Sequence, residues 1–107
     1  MLYKFKSKAT GDLIMLEPQG QQILKILGKT PGPKGIIEPA DMLAGIAALH
    51  AAVEREEAAR DLAIADARAK GEPPPRFEGL ALRQRVVPFV DMLRRAHAEE
   101  ADIVWGV

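Results

Sequence analysis

Residues 101–107 read Ala-Asp-Ile-Val-Trp-Gly-Val, and the placement of this stretch decides the fold. It carries the one tryptophan of the chain, Trp105, next to the β-branched residues Ile103 and Val104. An apolar tail of this kind is a liability if it hangs free, since chain ends fray unless they are tied down. β-branched and aromatic residues directly after a helical run predict a strand. A strand needs neighbours, and they must come from elsewhere in the chain.

The neighbours lie at the other end. In Leu2–Lys8, Tyr3, Phe5 and Ser7 alternate with Lys4, Lys6 and Lys8, the period-two signature of a strand with one wet face. Ala9–Asp12 supplies turn residues, and Asp12–Leu16 runs back to complete a hairpin. Lysines repeated along one face also keep an edge strand from recruiting a neighbour. A two-stranded hairpin is marginal alone, whereas a third strand makes a face worth covering with helices. The expectation is an α+β domain: a three-stranded antiparallel sheet, made of the N-terminal hairpin and the C-terminal strand, packed with three helices.

The first helix starts near Pro18, clusters Ile23, Leu24, Ile26 and Leu27 on one side, and ends at Gly28. Two prolines and two glycines in Lys29–Gly35 demand a loop, and Ile36–Pro39 reads as a short extension along sheet or core. From Pro39, Met42, Ile46, Leu49 and Val53 form a stripe of helical period. The stripe fails at Glu54–Asp61, where six charges fall in eight positions, although helical propensity stays high. A helix from Pro39 to Lys70 would span about 48 Å at 1.5 Å per residue, against a radius of gyration of about 13 Å for a compact domain this size. Either the helix breaks between Glu54 and Asp61 or its second half projects. With no proline or glycine before Gly71, the expected outcome is one domain, 1–107, in which 54–76 forms a protruding helix and proline-rich connector. The third helix carries Leu82, Val86, Phe89, Leu93 and Ala96 on one stripe, flanked by Val90 and Met92. Pro88 lies inside it and would either kink the helix or mark its true start, with Leu80–Val86 a separate turn; a kinked helix is expected.

Composition excludes several functions. The 107 residues hold 15 basic and 15 acidic side chains, so a protein that coats nucleic acid or an acidic membrane is not indicated. With no cysteine there is no disulfide, thiol nucleophile or Cys-ligated metal, which fits a cytoplasmic location. The opening residues lack the apolar run of a signal peptide, and no stretch approaches the ~18 apolar residues of a membrane span. Gly28-Lys29-Thr30 resembles a fragment of a phosphate loop, but Ile23 stands where the pattern needs its first glycine, so a helix cap explains it better. His50 and His97 stand apart, without metal-ligand spacing, and read as partly buried imidazoles. No catalytic residues, cofactor or metal site are assigned. The acids of Glu54–Glu57 alternate with a base and read as a solvated helix face.

Two residue groups remain as candidates. Arg83 and Arg94, eleven positions apart, project almost the same way, while Arg85 points close to the apolar stripe and needs a partner such as Asp12, Glu17 or Asp102. Arg83, Arg85, Lys4, Asp12 and Glu17 form a candidate polar site, structural or anion-binding. On the long helix, Ile64 and Ala67 return to the angular position of Ile46 and Leu49, with Leu62 roughly 160° away. Leu62, Ile64 and Ala67 form a candidate interaction face.

The opening MLYKFKSKATGDLIMLEP, the central GIIEP and the closing LRQRVVPFVDMLRRA…IVWGV together resemble domain-of-unknown-function family 1840 of proteobacteria. The matching positions are Lys4, Phe5, Gly11, Asp12, Glu17, Pro18, Leu82, Arg83, Arg85, Pro88, Met92, Leu93, Trp105 and Gly106, and the resemblance thins across Glu54–Arg76. It implies a compact cytoplasmic protein of Gram-negative bacteria and transfers no residue role. The function expected from the residues is a non-catalytic interaction module, a possible homodimer or the partner of another protein. The alternative is a small-ligand or anion-binding protein using Arg83 or Arg85.

Overall fold

The computed structural model describes residues 2–77 and 81–106. Its elements run β1 (Leu2–Lys6), β2 (Leu13–Leu16), α1 (Glu17–Ile26), β3 (Gly35–Ile37), α2 (Pro39–Ala69), α3 (Leu82–Ala98) and β4 (Ile103–Trp105). The strands form one antiparallel sheet in the order β2-β1-β4-β3. This corrects the three-stranded expectation: Gly35–Ile37 is a fourth strand, paired with β4 through Ile36↔Val104 and Ile37↔Ile103. Three residues beginning with glycine show no alternation to read, so only the partner strand reveals this one. The lysine-bearing β1 is an interior strand, flanked by β2 and β4, and its lysines lie on the wet face.

β4 therefore sits in the middle of the sheet, and Trp105 is held from several sides. It pairs with Phe5 on one strand and Gly35 on the other. A Cβ on Gly35 would collide with the indole ring, so the absence of a side chain there admits the tryptophan. Trp105 Nε1 and the Tyr3 hydroxyl both donate to the Gly32 carbonyl, at 3.1 and 3.2 Å. The loop before β3 is thus tied to β1 and β4 together. Gly106 has φ +75, and a side chain there would strike the Pro33 carbonyl.

The inner face of the sheet meets the helices. Phe5 is fully buried, edge-on to Phe89 of α3 at 4.9 Å between centroids. Around it lie Ile23 and Leu24 from α1, Met42, Ile46, Leu49 and Val53 from α2, and Leu82, Val86, Phe89, Leu93 and Ala96 from α3. Both helical stripes read from periodicity are buried as expected. All three helices end in the same way, with crossed carbonyl bonds from the two residues past the cap. Gly28 N–H bonds Lys25 O and Lys29 N–H bonds Leu24 O after α1; Gly71 and Glu72 repeat this on Arg68 and Ala67, and Glu100 and Ala101 on His97 and Ala96. Gly28, at φ +79, supplies the left-handed residue that this ending needs. Pro88 lies inside α3 rather than at its start. It is exposed, as is Gln84, so the carbonyl it leaves without a helical donor is within reach of water.

α2 continues unbroken for 31 residues. The molecule measures 52 × 28 × 22 Å with a radius of gyration of 16.0 Å, above the roughly 13 Å of a compact chain of this length. Past Val53 the helix buries no residue until Ala67. The chain then returns: Phe77 lies 4.5 Å beneath the Arg60 guanidinium, so 71–77 retraces the last turns of α2. α3 begins where this return ends. Ala81 has no side-chain acceptor, and the Leu82 N–H is received instead by Glu56 Oε1 of α2 at 3.0 Å, while the Ala81 N–H goes to Gln84 Oε1. Glu56 and Glu57 are therefore more than a solvated face, because they hold the start of α3.

Candidate functional site

Strand parity divides the sheet. Tyr3, Phe5, Leu13, Met15, Ile37, Ile103 and Trp105 face the helices, and Leu2, Lys4, Lys6, Ile14, Leu16, Ile36 and Val104 face outward. No helix covers the outward side among the described residues. At one corner Leu2 pairs with Leu16 and Lys4 with Ile14, which places three large aliphatic side chains next to one another. Leu2 is 62%, Ile14 54% and Leu16 55% exposed. Next to this corner Lys4 Nζ lies 3.5 Å from Asp12 Oδ2, and Val104 and Ile36 continue the face beyond Lys6.

The same corner is the edge of the sheet. β2 pairs only with β1 among the described strands. Its residues Leu13, Ile14, Met15 and Leu16 include no charge, proline or glycine. Edge strands usually carry at least one such guard. The sequence shows the hairpin but not this corner, because Leu13–Leu16 is apolar throughout and does not itself mark a wet side. The signal was present: Leu2, Ile14 and Leu16 all fall on the lysine-bearing side of the hairpin.

The candidate polar residues do not converge. Arg83 lies on α3 beside the second half of α2, where Nε and Nη2 clasp both oxygens of Glu57 at 2.8 and 2.7 Å. This hydrogen bonding holds the Glu57 carboxyl below its usual range and raises the Arg83 guanidinium. Arg85 donates from Nη1 to Gln22 Oε1 on α1, at 3.0 Å. Asp12 pairs with Lys4, and Glu17 accepts from Gln21 at 3.3 Å. Lys4 and Glu17 border a hollow near Gly32, whereas Asp12 lines a different groove with Lys6 and Glu99. Arg83 and Arg94 do share a rim, as their spacing predicts, over a groove between α2 and α3 floored by Val53, Val86 and Val90. Glu54, Asp91 and His50 stand on the same rim, so its charges are mixed. His50 is exposed, not partly buried as expected, and His97 is half-buried.

The candidate helix face is divided too. Ala67 is 8% exposed, Ile64 is half-buried and Leu62 is 72% exposed. Ala67 is covered within the chain, which leaves Leu62 as the one openly presented member of the three. Among the described residues no three His, Asp or Glu side chains are placed to hold a metal ion, and no helix is long and apolar enough to cross a membrane.

The chain belongs to the family described as domain of unknown function (DUF1840), whose model matches residues 1–105. That match runs through 54–76, where the resemblance by motif thins. Neither the curated proteins nor the solved structures contain a match to it.

Proposed function

We propose that this member of the family is a non-catalytic interaction module that works through the uncovered corner of its sheet. The observation that carries the reading is the trio Leu2, Ile14 and Leu16, adjacent and in solvent, at a strand edge without a charge. Isolated exposed aliphatics are ordinary on a protein surface, but a contiguous group at one place marks a contact surface. The exposed area points the same way. The chain exposes 6946 Å² at 11.7 kDa, where a compact monomer of that mass exposes about 5,900 Å². The far half of α2 contributes to that excess, with Leu62 as its exposed apolar side chain, and offers a secondary contact point.

An anion site built on Arg83 or Arg85 has weaker support. Arg83 already faces Glu57 and Lys4 faces Asp12, so a ligand would have to displace a carboxylate from either. The partner is a protein, either a second copy or another chain. Zero formal charge supplies no overall basic excess for nucleic acid, and the mixed charges of the sheet face do not suit a membrane. The cysteine-free composition supports the cytoplasm as the place of action. A photo-cross-linking residue at position 14, compared with one at exposed position 72, tests the reading in the producing cell. Adducts specific to position 14 are expected. Equal labelling at both positions would defeat it.

A further inference from the structure

The two edges of the sheet are treated differently. β3 has three residues, Gly35–Ile37, between Pro33 and Pro39, with Lys34 adjoining. Shortness, proline and charge are the usual guards of an edge. β2 is one residue longer and holds no charge, proline or glycine within it, although Asp12 and Glu17 adjoin its ends. Its outer N–H and C=O groups form a template for one more strand, and its exposed side chains are aliphatic.

We propose that two copies of this chain pair through β2, antiparallel and centred on Met15, joining two four-stranded sheets into one of eight strands. This inference rests on the interaction reading above and names its partner. An antiparallel pair of identical strands has a two-fold axis, so the contact is closed and uses the same residues on both sides. The guarded β3 edge then ends the assembly at two.

Register follows from parity. Residues directly opposite in an antiparallel pair point to the same face, so the centre must lie on a residue. Centring on Met15 sets Ile14 opposite the second copy's Leu16 and Leu16 opposite its Ile14. The outer face then reads Leu2, Leu16, Ile14, Lys4 across the four central strands, and the reverse in the next row. Centring on Ile14 would instead set Asp12 opposite Leu16. In the Met15 register the Lys4 positions of the two copies stand in different rows with two strands between them, about 16 Å apart at ~4.8 Å per strand and ~3.4 Å per residue. That exceeds the screening length of about 8 Å at physiological salt. The ladder ends naturally at Glu17, where α1 begins, and Pro18 has no N–H to extend it. A ladder this short buries less than the ~1,200–2,000 Å² of stable complexes, so the dimer forms with rising concentration and is not obligate.

A chain without cysteine allows a clean test. Opposed residues in an antiparallel pair have Cα atoms ~4.5–5.5 Å apart, within the disulfide range. Under mild oxidation Met15→Cys is expected to give a covalent species of twice the chain mass, while Ile36→Cys on the other edge stays single. Light scattering on the unaltered chain should show the apparent mass rising toward double with concentration. Ile14→Lys, at an exposed position, should hold it at the single-chain value with an unchanged circular dichroism spectrum. An unaltered chain that stays single to high micromolar concentration, or equal cross-linking by Met15→Cys and Ile36→Cys, overturns the pairing. If the pairing fails while position 14 still labels another protein in cells, the interaction reading survives with a different partner. If neither occurs, both fail.

Discussion

The two halves of α2 are held by opposite means. From Met42 to Val53 the helix lies on the core, and its stripe of Met42, Ile46, Leu49 and Val53 is buried against α1 and α3. From Glu54 onward polar contacts to the start of α3 and the cover of Phe77 take over, and Ala67 is the one buried residue of this half. Glu56 receives the first N–H of α3, Glu57 clasps Arg83, and Arg60 covers Phe77. The hydrophobic stripe stops where these polar attachments begin. A helix can leave its core when side-chain acceptors and donors replace apolar burial, but such contacts are individually weak and open to water.

The largest expected effect tests the division itself. Leu49→Ala, in the fully buried half, should destabilise the fold by about 2–5 kcal/mol, whereas Leu62→Ala should remain within about 0.5 kcal/mol. Urea unfolding of both variants reads the difference, and similar losses would mean that the halves are not distinct. An intermediate effect belongs to Glu56. Its carboxylate serves as a helix N-terminal acceptor supplied from another helix, a role worth about 0.5–2 kcal/mol when the acceptor is local. Glu56→Ala should lose stability in that range and speed hydrogen exchange at the Leu82 amide, while Glu56→Gln keeps an acceptor and much of the protection. Exchange at Leu82 unchanged by Glu56→Ala would rule out the cross-helix cap.

The smallest effect lies at Glu57. Its carboxyl is lowered chiefly by the hydrogen bond from Arg83, with the charge of Arg83 adding to it and partial desolvation opposing. A carboxylate lowered in the folded state adds stability above its unfolded pKa and loses it as pH falls through the folded value. Acid should therefore loosen the far half of α2 from α3 at a pH below the usual carboxylate range, without unfolding the core. Carbon-detected titration of Glu57 should return to the ordinary range in Arg83→Ala. Because both groups are exposed, added salt should weaken the effect. A normal Glu57 titration in the unaltered chain would show that the pair does not persist in solution.

Much of this architecture was legible in order of residues. The alternation of Tyr3 and Phe5 with Lys4 and Lys6 named the inward face of β1, and the helical stripes named the buried sides of α2 and α3. Gly28 and Gly71 marked two helix ends. Glu56 and Glu57 were not legible, because their partners Leu82 and Arg83 lie 26 positions away and nothing local distinguishes a carboxylate that caps another helix from one in water. The uncovered corner was half-legible: the side of the hairpin could be read, but not that nothing would cover it.

What the sequence by itself determined is therefore local and periodic: which residues form strands and helices, which side of each is apolar, and that the stretch around Trp105 is structural. Only the tertiary structure decided that β4 lies between β1 and β3, that Gly35–Ile37 is a strand, and that β2 is left as an open edge. Periodicity depends on the geometry of one element and is written in adjacent residues. Strand order and cross-helix attachment depend on which distant surfaces fit, such as the indole of Trp105 over Gly35, and that fit exists only once the chain has folded.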